Sequence, residues 1–134
     1  MNMTADDVLA RAGAPADLSG ALRTYVNIAR VWDLKDAEAA TLLGTPLSTY
    51  ARWKANPTSA NLTHAIQERM SYVFGIFKAL RLLYANDEHG YGWLRRHNLN
   101  PLFKNRTPLD LMLAGNISDL YLTRRYLDTW RNAW

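Results

Sequence analysis

The chain has 134 residues, 49% of them hydrophobic, a net charge of +4 and no cysteine. That content is enough to bury a core in one ordinary domain or two small ones, and it excludes wholesale disorder. The lack of Cys removes a disulfide scaffold, a thiol nucleophile and a zinc–thiolate site.

Hydrophobic positions recur at three and four, and no segment alternates as a half-buried strand does, so the pattern predicts an all-α fold of about seven helices. Thr4 and Asp7 open a first short helix that Gly13 can end. A second runs from Ser19 to Trp32, with Leu22, Tyr25, Val26, Ala29 and Trp32 as one apolar stripe. The segment Asp36 to Ala55 then reads as two short helices. Ala37 to Leu43 ends at Gly44, which tolerates a left-handed cap. Thr45 is placed as the next N-cap, with Pro46 at the first helical position. Tyr50 and Trp53 bury the inner face of this second helix, which stops before Asn56-Pro57. Two short helices joined by a Gly turn describe a helix-turn-helix. A plain helix pair within a bundle is the alternative.

A long helix follows, from Thr63 to Asn86, with Ile66, Met70, Val73, Phe74, Phe77, Leu80 and Tyr84 on one face. It is expected to join an N-terminal part, residues 1–62, to a C-terminal part, residues 63–134. Its broad apolar face also suits a dimer contact. Trp93 and Leu94 close a short helix, and Asn98 to Asn105 is read as a loop. Thr107, Pro108 and Asp110 start the next helix, which Gly115 ends. Ser118 is placed as the cap of the last helix, with Leu120, Tyr121, Leu127 and Trp130 near one face.

The string Trp93-Leu94, a Pro-containing loop, Arg106-Thr107-Pro108-Leu109-Asp110-Leu111, Gly115 and a final amphipathic helix resembles the toxin-binding domain of the Xre/MbcA/ParS antitoxin family. An Xre-like helix-turn-helix precedes that domain in the family, as Asp36 to Ala55 does here. The match spans roughly Ser19 to Trp134. The chain departs from the family pattern in three places: Asn105 replaces the usual loop glycine, Asn100-Pro101 reverses the loop's Pro-Asn order, and the last helix runs on to Trp134. The resemblance implies a type II antitoxin. Its cognate toxin would be a RES-domain enzyme that consumes NAD or ADP-ribosylates a target. The antitoxin itself would bind no NAD and need no cofactor.

No enzyme chemistry is expected. His64, His89 and His97 lack metal-ligand spacing, and no phosphate loop or nucleophile motif occurs. The N-terminus carries Asp6 and Asp7 where a signal peptide needs positive charge. The stretch from Met70 to Tyr84 is interrupted by Lys78 and Arg81 and is too short to span a bilayer. A cytoplasmic protein without a membrane partner is therefore expected. For the toxin, the candidate contacts are Arg106, which precedes an N-cap, and Tyr121, Arg124, Arg125, Trp130, Arg131 and Trp134. Tyr, Trp and Arg are the residue types that anchor protein interfaces. For operator DNA, the candidates are Ser48, Thr49 and Arg52 facing bases, with Thr45 and Lys54 near phosphates. Residues 1–62 hold 6 Lys/Arg against 6 Asp/Glu, and residues 63–134 hold 10 against 6. The helix-turn-helix half thus lacks the basic footprint of a DNA reader. Palindromic operators call for a dimer, or a larger assembly with the toxin. The alternative function is a transcription regulator with a helical oligomerisation domain and no toxin partner.

Overall fold

A computed structural model describes residues 18–84 and 87–132. The expected helix at Thr4 to Gly13 lies outside them. The described residues form seven α-helices and two 3-10 turns, with no strand among them. They belong to two compact units, Met1–Phe74 and Gly75–Trp134.

In the first unit, α1 (Leu18–Val31) buries Leu22, Tyr25, Ile28 and Ala29, spaced by three, three and one. Ile28 takes the fully buried place expected of Val26, which is half-buried. The helix ends on Asp33 at φ 55°, a left-handed position where the Leu34 N–H returns to the Ala29 carbonyl at 2.9 Å. Asp is one of the few side chains that occupy this region without large cost. α2 (Asp36–Leu43) opens with the Glu38 carboxylate accepting the Lys35 N–H at 2.8 Å, half of a capping box. It closes on Gly44 at φ 70°, as expected. α3 (Leu47–Ala55) starts one residue later than its sequence suggests. Pro46 is its N-cap, and its carbonyl accepts the Tyr50 N–H at 3.0 Å, so Thr45 does not cap it. Pro46 has a helix-compatible φ of −61° but an extended ψ of 151°, which keeps it outside the helix. Tyr50 and Trp53 face inward and are 1% and 4% exposed.

A 3-10 turn (Pro57–Ser59) leads to α4 (His64–Leu83), which Thr63 caps by accepting the Ile66 N–H. The border between the two units falls inside this helix. Met70, Val73, Phe77 and Leu80 are buried as expected, joined by Ile76 and Ala79; Ile66, Phe74 and Tyr84 are half-buried.

In the second unit, α5 (Asp87–Arg95) buries Leu94. The segment after it is more ordered than a loop. It contains a 3-10 turn (Pro101–Phe103) capped by Asn100, whose side chain accepts the Leu102 N–H at 3.0 Å. Lys104 and Asn105 follow at φ 52° and 62°, and the Arg106 carbonyl accepts the Asn98 N–H at 3.2 Å to close the segment. Asn105, where the family pattern has glycine, is a residue that tolerates this conformation. α6 (Pro108–Met112) has Thr107 as its N-cap, bonded to the Asp110 N–H at 3.0 Å, with Pro108 in the first turn. α7 (Ile117–Asn132) begins before Ser118, which lies inside the first turn and is exposed. Asn116 precedes it, its carbonyl accepting the Asp119 N–H and its side chain bonding the Asp119 carboxylate. The buried face of α7 is Leu120, Thr123 and Leu127. Tyr121 and Trp130, placed on that face by the sequence, are 43% and 51% exposed.

Candidate functional site

The helix-turn-helix surface is set by Gly44 and held by a residue far away in sequence. The Arg69 guanidinium donates to the Leu42 carbonyl at 3.4 Å. A cation at the C-terminal end of α2 also meets the negative end of the helix dipole. A Cβ on Gly44 would sit 2.9 Å from the Arg69 Nε. Gly44→Ala is therefore expected to cost about 1–2 kcal/mol for the left-handed backbone and to push Arg69 off the turn. A urea titration with unchanged midpoint would contradict both effects. Nothing local in the sequence marks Arg69, because its partner is 27 positions away.

On the outer side of α3, Ser48 and Arg52 are exposed, while Thr45 and Thr49 are half-buried. Lys54 is exposed but paired with Asp36 at 3.0 Å. Leu47, in the first turn, is half exposed. The inner side holds two tyrosines edge to face, Tyr25 and Tyr50, with centroids 6.2 Å apart. The Tyr25 hydroxyl donates to the Ala39 carbonyl at 2.7 Å. Burial pushes the Tyr25 phenol well above its ordinary range. Burial, with Asp36 adding to it, pushes Tyr50 up to about 12. Both are neutral at physiological pH.

The second unit gathers an aromatic cluster that the sequence reading did not assemble. Phe103, fully buried, meets Trp93 at 5.7 Å and Tyr126 at 5.3 Å, both edge to face. Trp93 and Tyr126 stack at 6.2 Å, and Tyr126 meets Trp130 at 6.3 Å. Beside them lies an open cleft of about 270 Å³ between Leu83, Tyr84, Trp93, Tyr126, Leu127 and Trp130. Trp130 is thus anchored at one edge and half exposed at the other.

The candidate arginines divide. Arg125 is exposed and points its guanidinium at the Tyr121 hydroxyl, 3.5 Å away. Leu122 is exposed on the same helix. Arg124 is half-buried, 3.6 Å from Asp128, and crosses the space a Cβ on Gly75 would take. Arg131 shares Asp128 at 4.0 Å. Two of the arginines are therefore tied down by one carboxylate. The Arg106 side chain is exposed; its backbone closes the preceding segment. Trp134 lies outside the described residues. Among the described residues, no three His, Asp or Glu side chains group as metal ligands would, and no helix is long and apolar enough to cross a membrane.

Comparison with known proteins agrees with this division into two parts. Residues 8–75 match the antitoxin Xre-like helix-turn-helix domain, and residues 79–132 match the antitoxin Xre/MbcA/ParS C-terminal toxin-binding domain. The chain is also 37% identical over 111 residues to the uncharacterized protein y4oB of Sinorhizobium fredii (strain NBRC 101917 / NGR234), covering 82% of this chain and 83% of that protein. Both halves of the antitoxin architecture are present in order, and the chain belongs to the Xre/MbcA/ParS family of type II antitoxins.

Proposed function

We propose that this antitoxin neutralises a RES-domain toxin, an enzyme that consumes NAD or ADP-ribosylates a target, and represses its own operon through α3. It acts by binding, without catalysis and without a cofactor, in the cytoplasm, as a dimer or a larger assembly with the toxin. The observation that carries the reading is the toxin-binding domain match over residues 79–132. On that domain, α7 leaves Tyr121, Leu122 and Trp130 wet, together with Arg125. Large aromatic groups beside arginine are the residue types in which interface energy concentrates. Arg106, Arg124, Arg131 and Trp134 complete the proposed contact set. Arg124 and Arg131 act through the helix they brace as much as through direct contact.

The test is the double variant Arg125→Ala with Trp130→Ala, checked for intact helix by circular dichroism. Loss of two anchors is expected to weaken toxin binding by at least about 2 kcal/mol, so the variant no longer rescues growth when the toxin is co-expressed. Full protection by a folded variant would move the inhibitory contact to Arg106 and the segment before it. Failure of the wild-type chain to bind or neutralise any co-expressed toxin would favour a transcription regulator without a toxin partner.

Operator contact is proposed for Ser48, Thr49 and Arg52, with Thr45 and Lys54 toward phosphates. Arg52→Ala is expected to weaken specific binding by about 1–3 kcal/mol without loss of helix. A gel-shift titration at fixed salt checks it, and unchanged affinity removes Arg52 from the surface.

A further inference from the structure

The outer side of α3 carries an apolar row that the polar contacts proposed above leave unexplained. Leu47, in the first turn, is 50% exposed, and Ala51 and Ala55, four and eight residues further on, are exposed as well. Residues four apart on a helix are neighbours on its surface, so the three form one strip. Ser48 and Arg52, also exposed and four apart, form a second strip beside it. Tyr50 and Trp53 take the opposite side and are buried. An exposed leucine by itself calls for no explanation. This one stands at the N-terminal end of the second helix of a helix-turn-helix, the end whose residues meet base edges in the major groove.

The two alanines matter because their side chains stop at Cβ. A helix with Ala51 and Ala55 on its outer strip can approach the floor of a groove closely, while Leu47 and Arg52 reach further. Arginine reads guanine through its O6 and N7 acceptors, and an apolar side chain reads thymine through the C5 methyl group, which adenine, guanine and cytosine lack. The first unit offers a duplex little else. Residues 1–62 hold 6 Lys/Arg against 6 Asp/Glu, and Lys54 is paired with Asp36. Weak attraction to phosphates leaves more of the recognition to base edges. We propose that Leu47 is a specificity-determining residue for the operator, packed on the C5 methyl of a thymine beside the base that Arg52 reads. This contact rests on the operator binding proposed above and adds an apolar term to it.

The experiment removes that methyl group alone. A duplex spanning the promoter of the chain's own operon is footprinted with the full-length protein. Each thymine in the protected stretch is then replaced singly by uracil, which pairs in the same way and lacks only the methyl. At one position or more, wild type is expected to bind the uracil duplex about fourfold more weakly, the equivalent of about 0.8 kcal/mol for one buried methyl-sized group. Leu47→Ala is expected to bind the thymine duplex more weakly and to lose the thymine–uracil difference, with a melting temperature near that of wild type. Leu47→Met keeps the apolar reach and should retain the difference, as should Arg52→Ala. Uracil tolerated at every thymine, or a difference that persists in Leu47→Ala, would overturn the contact and leave operator binding standing. Uracil tolerated everywhere while Leu47→Ala weakens all duplexes alike would overturn it in favour of a contact between protein chains. No protected stretch at all would overturn operator binding and this contact with it.

Discussion

Trp53→Ala should lower the unfolding free energy by about 3–5 kcal/mol, the usual cost of emptying a buried aromatic site. Trp53 is 4% exposed and, with Tyr50, forms the whole buried face of the nine-residue helix α3. A helix that short has little stability of its own and depends on packing. Removing one of its two anchors therefore frees its orientation as well as leaving a void. The variant is expected to lose operator binding although it keeps Ser48, Thr49 and Arg52. Arg52→Ala provides the contrast: it should weaken binding while leaving the denaturation midpoint in place. A Trp53→Ala protein that unfolds at the wild-type denaturant concentration would show that the site collapses onto the missing ring. It would also separate the packing of α3 from recognition.

Phe103→Ala is expected to be as costly, about 3–5 kcal/mol, in the second unit. Phe103 is fully buried and is the ring that meets both Trp93 and Tyr126. Edge-to-face pairs add about 0.5–1.5 kcal/mol each beyond burial. Their loss should also release Trp130, which contacts the cluster through Tyr126. The functional consequence is failure to neutralise the toxin even though every exposed candidate residue is intact. Urea denaturation with co-expression of the toxin checks both parts. Wild-type protection together with a normal midpoint would show that the cluster does not position the Trp130 edge.

Local signals account for what the sequence made legible. Gly44 demands a left-handed residue between two apolar runs, and Thr107-Pro108 carries its own capping chemistry, so both turns could be placed from a few adjacent residues. Tyr50 and Trp53, three apart, identified the inner face of α3. The errors occurred where two local solutions compete. Thr45 and Pro46 can each begin a helix, and the extended ψ of Pro46 makes it the residue before the first turn. Ser118 is read as the cap of α7, but Ile117 is already helical, so Ser118 lies inside the first turn. Spacing puts Tyr121 near one face of α7 with Leu120, Leu127 and Trp130. The true face is narrower, Leu120, Thr123 and Leu127, because a threonine whose hydroxyl bonds the Asp119 carbonyl can be buried like an apolar residue. Arg69 on the Gly44 turn, Phe103 under Trp93 and Arg124 over Gly75 are contacts between distant segments. No periodicity within one helix reveals such pairs.

The distribution of tryptophans has an optical consequence. Trp32 and Trp53 are dry, 2% and 4% exposed, and both lie in the first unit, whereas Trp130 in the second is half in water. Indole emission shifts to longer wavelength as the ring is hydrated, so Trp32 and Trp53 emit to the blue of Trp130, with the half-buried Trp93 between them. Unfolding of the first unit moves its emission to the red. A partner that covers Trp130 moves that ring's share of the emission to the blue. The two events can thus be followed in one cuvette without a label, each by the direction of its spectral change.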